Sequence, residues 1–168
     1  LHAKAVTRPD SKGSNDQLRP LDARGRERAQ DLVPLLGVRG ITRVVSSPSR
    51  RCMETISPYA VASDTAVLPK AGLSEEGFEV DPSRAPKHVE ALLRRGEPAL
   101  VCSHGPVLPA LLDVLIARVD EAAPAGHATC SALSEAHAEH LVKGEALVCH
   151  MVGTGAAARV VAVERHLP

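Results

Sequence analysis

The chain is predicted to fold as a three-layer α/β/α sandwich around a mostly parallel sheet with an antiparallel edge strand. Three observations predict it. Short apolar runs alternate with segments of helical periodicity, which places helices on both faces of a sheet. Two strand-to-helix junctions have the same design: Ser47-Pro48 after RVVS (43 to 46), and His104-Gly105-Pro106 after ALVC (99 to 102). The chain closes with two apolar runs, 145 to 152 and 158 to 164, separated by Gly153-Thr154-Gly155, the pattern of an antiparallel hairpin.

Taken in order, residues 1 to 6 have strand-like ends but no room for a full strand. Residues 7 to 20 are rich in Pro, Gly, Ser, Asn and Asp and read as a long polar loop. Asp22 is placed as the N-cap of a helix reaching Leu36, with Ala29, Leu32, Val33 and Leu36 inward. RVVS is the next strand, and Ser47 and Pro48 are expected at the N-cap and first position of a second helix. Arg50 and Arg51 fall in that helix's first turn, where cations oppose the dipole; an anionic ligand there would account for them. A short strand at 66 to 69, an acidic connection over 71 to 83 and a helix over 84 to 95 closed by Gly96 follow. After ALVC, Leu108, Leu111, Leu112, Leu115 and Ile116 define a helix to about Arg118, with Pro106 at its first position. Residues 119 to 130 read as irregular, and 131 to about 141 as a further helix.

Composition limits the function. The 168 residues suit one domain. Trp is absent and Phe and Tyr occur once each, so there is no aromatic platform for single-stranded nucleic acid. Twenty basic residues balance twenty acidic ones, and no global field draws the chain to a nucleic acid polymer or a membrane surface. No apolar run approaches the roughly 18 residues of a membrane span. Four dispersed cysteines without a CxxC pair suggest a reducing, cytoplasmic setting. The chain opens in mid-pattern at Leu1, and is expected to be part of something longer.

Both junctions lie at carboxyl ends of strands, where α/β sheets bind ligands. The His104 junction aims free backbone N–H groups and a helix dipole at an anion. Several schemes fail on the residues. Six positions after Cys102 stands Leu108 rather than Arg, VCSHG is not GxSxG, and no GxxxxGK[ST] stretch occurs. His137 and His140 with His127 lack the partners of a recognisable zinc set. What remains is a phosphate site built from His2, Arg51 and His104.

These residues resemble the histidine phosphatase (phosphoglycerate-mutase-like) superfamily. His2-Ala3-Lys4-Ala5 is similar to its RHG or RHA signature, Leu21-Asp22-Ala23-Arg24-Gly25 with Ala29 to its LTxxGxxQA helix start, 46 to 55 to its SSPxxRxxxT element, and Ser103-His104-Gly105 to its late SHG. HAKA, RPLDxxG, LSEEGFEVDP, SHGPVLP and VVAVERH also resemble the C-terminal phosphatase domain that follows a MutT-type Nudix domain in actinobacterial hydrolases. The resemblance implies a phosphoglycerate-mutase-like fold and removal of a terminal phosphate from a small phosphorylated substrate such as a nucleoside diphosphate, oxidised guanine nucleotides included. It implies His2 as nucleophile, Arg51 and His104 as holders of the phosphoryl oxygens with Ser47 and Gly105 beside them, and Glu75 as proton donor, with Glu76 its rival. Neither metal nor cofactor is implied, and an upstream Nudix domain is an expected partner. Leu1 stands where the family has a phosphate-binding Arg, so either another cation, such as Lys4, Arg8 or Lys12 from the long loop, replaces it, or the site is weakened. A phosphohistidine protein phosphatase and a catalytically weak phosphate-binding module are the alternative readings.

Overall fold

A computed structural model describes residues 1–7 and 15–167. Three parallel strands, β1 (Arg43–Ser46), β2 (Val67–Pro69) and β3 (Ala99–Cys102), form a sheet in the order β2-β1-β3. Register pairs Arg43 with Ala99 and Ser46 with Cys102, so β1 and β3 end side by side. Val44 and Val45 are neighbours in sequence and point to opposite faces, as strand geometry requires. Val44 packs with Leu32 and Leu36 of α1 (Ala23–Gly37) and Cys52, Ile56 and Tyr59 of α2 (Arg50–Ala62). Val45 packs with Ala85 and Val89 of α4 (Arg84–Arg95) and Leu111 and Val114 of α5 (Leu108–Ile116). The sheet is therefore covered on both sides, giving the three layers.

Several boundaries differ from the sequence expectation. The second helix begins at Arg50 rather than at Pro48, because Ser47 turns its Oγ to accept from the Ser49 N–H (3.2 Å) and holds the chain in a bend first. The acidic connection is not irregular: a 3-10 turn (Ala71–Leu73) leads into α3 (Glu75–Val80), capped by the Ser74 hydroxyl on the Gly77 N–H (3.0 Å). Pro106 lies in a 3-10 turn (Gly105–Val107), and the α-helix proper starts at Leu108. The last helix, α6 (Gly126–Glu139), starts five residues before the expected Ser131, since the small residues read as irregular pack closely there. The long loop contains a 3-10 turn, Asp16–Leu18. Asp22 caps α1 as expected, its side chain accepting from the Gly25 N–H (2.7 Å).

The terminal hairpin, β4 (Ala146–Val152) with β5 (Arg159–His166), is a separate antiparallel pair with a bulge between His150 and Met151. Residue 2 joins it to the parallel sheet. The His2 N–H donates to the Ser103 carbonyl (3.2 Å), and the His2 carbonyl accepts from the Gly144 N–H (3.1 Å). The first residues thus occupy a strand's place without forming a ladder, apart from a bridge between Ala5 and Leu21. Leu108, Leu112, Leu133, Ala136, Leu141 and Val160 form the core beneath the hairpin, and Leu1 packs against them.

Gly25 is a point of close approach. The Lys4 carbonyl, which also accepts from the Asp22 N–H (3.0 Å), would collide with a Cβ at that position. Gly25→Ala should therefore destabilise the fold by about 1–3 kcal/mol, as overpacking does. Denaturant unfolding checks this, and an unchanged midpoint would contradict the contact.

Candidate active site

The ends of β1 and β3 bring the site together. His104 follows β3 and is fully buried; its Nε2 lies 2.8 Å from Ser47 Oγ, just beyond β1. Arg51, in the first turn of α2, is also fully buried. Its Nε donates to His104 Nδ1 (3.3 Å), its Nη2 to Glu75 Oε1 (3.0 Å), and its Nη1 to the Asp16 carbonyl (2.7 Å), with Asp16 Oδ2 at 3.0 Å. A buried guanidinium needs such partners, because an unpaired charge in the interior is strongly unfavourable.

These bonds set the imidazole protons. Ser47 Oγ–H donates to Ser49 Oγ (3.1 Å), so it is free to accept from His104 Nε2–H. Nδ1 of His104 is then the acceptor for Arg51. His2 is held the other way round: its Nδ1–H donates to the Ala3 carbonyl (2.7 Å), which leaves Nε2 unprotonated, its lone pair facing Lys143 Nζ (3.3 Å). The residue after His2 is fixed by α2, where Thr55 Oγ1 accepts from the Ala3 N–H (2.9 Å) and donates to the Arg51 carbonyl (2.6 Å). The two rings stand edge to face with centroids 5.1 Å apart.

Both imidazoles are kept neutral. Burial, then the charge of Lys143, lowers His2 to about 2, and burial, then Arg51, lowers His104 to about 3. A neutral imidazole is a competent nucleophile, whereas an imidazolium has no lone pair to offer.

The structure brings together His2, Arg51, His104, Ser47 and Glu75. Glu75 reaches the cluster from the N-terminus of α3, with Oε1 also 3.2 Å from His104 Nδ1. Glu76 does not join it; its Oε2 is buried without a hydrogen-bond partner. Gly105 opens the 3-10 turn beneath His104, with open space where a side chain would be. Lys4 is not brought to the cluster. Its ammonium lies 3.5 Å from Asp22 Oδ2, with more than half of the side chain exposed. Arg8 and Lys12 lie outside the described residues.

Two groups in contact with the site were not singled out in the sequence. Asp16 covers the Arg51 guanidinium, and Lys143 places Nζ 3.3 Å from His2 Nε2. Asp16 sits in a polar loop and Lys143 in a Lys-Gly-Glu break before the hairpin, where the residues signal only loop and turn. His137 lies 3.2 Å from Asp113 instead of joining other histidines. Among the described residues no group of three or more His, Cys, Asp or Glu side chains is placed to hold a metal. All four cysteines are free, and no helix among the described residues is long and apolar enough to cross a membrane.

The depressed histidines make stability pH-dependent. Both rings titrate lower in the folded chain than the usual 6.5, so the unfolded chain binds more protons between those values. Stability is then full above about pH 6.5 and falls on acidification, by roughly 1.4 kcal/mol per pH unit for each group. Urea unfolding between pH 7 and pH 4 should show this slope, and His104→Gln should reduce it by about one proton's share. An equal slope in that variant would contradict the neutral, buried assignment.

Known proteins share sequence and fold with this chain. The family model described as histidine phosphatase superfamily (branch 1) matches residues 10–81. The chain is 34% identical over 112 residues to the 8-oxo-(d)GTP phosphatase of Mycolicibacterium smegmatis, an alignment covering 67% of this chain and 34% of that protein. The chain thus spans about a third of that relative's length. Its fold is similar to SixA of Nakamurella multipartitia (TM-score 0.69, 22% identity, 97% of this chain and 91% of that one). It is also similar to the mycobacterial glucosyl-3-phosphoglycerate phosphatase (TM-score 0.53, 17% identity, 69% and 76%). Over residues 10–81, which include the buried arginine Arg51, the chain is thus similar to the histidine phosphatase superfamily (branch 1), and its fold is that of histidine phosphatase structures.

Proposed function

We propose that the chain is a phosphatase that removes the terminal phosphate from a small phosphorylated substrate, a nucleoside diphosphate, through a phosphohistidine on His2. The observation that carries this reading is the His2 ring. Its Nδ1–H is engaged by the Ala3 carbonyl (2.7 Å), and its Nε2 lone pair faces the cationic side of the site. The matched relative, an 8-oxo-(d)GTP phosphatase, supports a nucleotide substrate and extends the proposal to oxidised guanine nucleotides. An upstream Nudix domain that generates the diphosphate is part of the same proposal, as is a cytoplasmic setting.

In the first step Nε2 of His2 attacks phosphorus in line. The P–N bond forms as the bond to the leaving oxygen breaks, and Glu75, which takes up a proton from solvent as the phosphoryl group replaces it on Arg51, gives that oxygen the proton. In the second step water attacks phosphorus and yields its proton to Glu75. The P–N bond breaks, its electron pair returns to Nε2, and inorganic phosphate leaves. Two displacements replace one difficult step. Arg51 and His104 stabilise the charge on the phosphoryl oxygens, which is where phosphoryl-transfer enzymes gain most of their rate. In the structure the Arg51 donors are engaged by Asp16, Glu75 and His104, so phosphate binding requires at least the Asp16 contact to yield.

Rapid quenching with a labelled nucleoside diphosphate should trap an acid-labile, base-stable phosphoenzyme, absent in His2→Ala. Arg51→Ala should lower kcat/KM by about 10²–10³. No phosphoenzyme with any phosphorylated substrate would leave only a phosphate-binding module. Turnover of a phosphohistidine protein with indifference to nucleotides would move the substrate to proteins.

A further inference from the structure

The side chain at position 1 carries no charge: Leu1 packs against the core beneath the hairpin, and its backbone ammonium is turned to the Glu145 carbonyl (3.0 Å). The cation that the signature lacks there is not Lys4, whose ammonium is turned to Asp22. Arg51 has its Nε, Nη1 and Nη2 engaged within the protein. Yet a transferring phosphoryl group carries negative charge on three oxygens, and the nucleophile needs a cation at its side.

We infer that Lys143 is a phosphate-binding residue of this site, supplying from the turn before β4 the cation that the side chain at position 1 does not. Lys143 Nζ lies 3.3 Å from His2 Nε2, the atom that bonds to phosphorus in the reading above, on which this inference rests. An ammonium in contact with the attacking atom is within reach of the oxygens on the phosphorus that replaces it. The approach of substrate moves Nζ from the lone pair of Nε2 to a phosphoryl oxygen, freeing the nucleophile as it neutralises the charge.

The position is built rather than incidental. The Gly144 N–H donates to the His2 carbonyl (3.1 Å), which locks the turn to the nucleophile's own backbone. Gly144 has φ +85°, a left-handed conformation that suits glycine and aims the preceding residue. Glu145, buried, accepts from the Val142 N–H (2.8 Å) and pairs with Arg165 (2.6 Å), so the turn is pinned to the hairpin as well. Burial lowers the Lys143 ammonium from its ordinary range, and the nearby Glu75 opposes that shift. Such a cation gains from an arriving dianion.

The test uses the full chain with Lys143 replaced by Met and by Arg, with tungstate as the phosphate analogue and a nucleoside diphosphate as substrate. Lys143→Met should weaken tungstate binding at least tenfold and lower kcat/KM by about 10²–10³, and Lys143→Arg should restore most of both. Without any ligand, the His2 ring of Lys143→Met should titrate at a higher pH in an NMR titration, because a neighbouring positive charge has gone. Unchanged tungstate affinity together with an unchanged His2 titration in folded Lys143→Met would overturn the inference while the wild-type phosphoenzyme still forms. A wild type that forms no phosphoenzyme would instead overturn the phosphatase reading, whatever Lys143 does to tungstate.

Discussion

The rest of the structure depends on one buried charge. Arg51 is wholly removed from solvent, and its guanidinium is satisfied only because three separate segments meet it. His104 comes from the end of β3, Glu75 from the start of α3, and Asp16 from the turn in the long loop. The parallel pairing of β1 with β3 makes this possible, since it places Ser47 and His104 at neighbouring strand ends. If the guanidinium were removed, the carboxylates would face each other without a counter-charge, and a core histidine would lose its proton donor.

The same charge shapes the chemistry. Together with burial, it keeps His104 neutral, and Lys143 does so for His2. The result is a pair of imidazoles with opposite tautomers: one has an unprotonated Nε2, met by Lys143, and the other donates its Nε2–H to Ser47. A site of this kind gathers cations and donors where an anion can replace their internal partners. It is also closed. His2 is 3% exposed, so entry of a phosphate group exchanges internal partners for phosphoryl oxygens.

Much of this was legible in the sequence, for physical reasons that particular residues show. Periodicity gave α4 and β3 at their observed bounds, because Val89, Leu92 and Leu93 recur at helical spacing before Gly96 and ALVC is a short, bounded apolar run with no exposed residue. Arg51, Ser47 and His104 were legible because strand ends followed by helices concentrate anion-binding groups, and His2 through the likeness of HAKA to a known signature. Glu75 separated from Glu76 only in three dimensions, where helix rotation aims one carboxylate at Arg51 and the other away. Lys143 was not legible at all: 141 residues separate it from His2, and only the backbone bond from Gly144 to His2 makes them neighbours. The start of α6 was hidden because Ala, Gly and Thr carry no amphipathic signal.

The central claim, that neutral rings with opposite tautomers are held beside a buried arginine, is tested most directly by long-range ¹H–¹⁵N NMR of the histidine rings in the ligand-free chain. Between pH 5 and pH 8 the account predicts His2 protonated at Nδ1 alone and His104 at Nε2 alone. A doubly protonated ring at either position near neutral pH, or the reverse tautomer at His2, would contradict it.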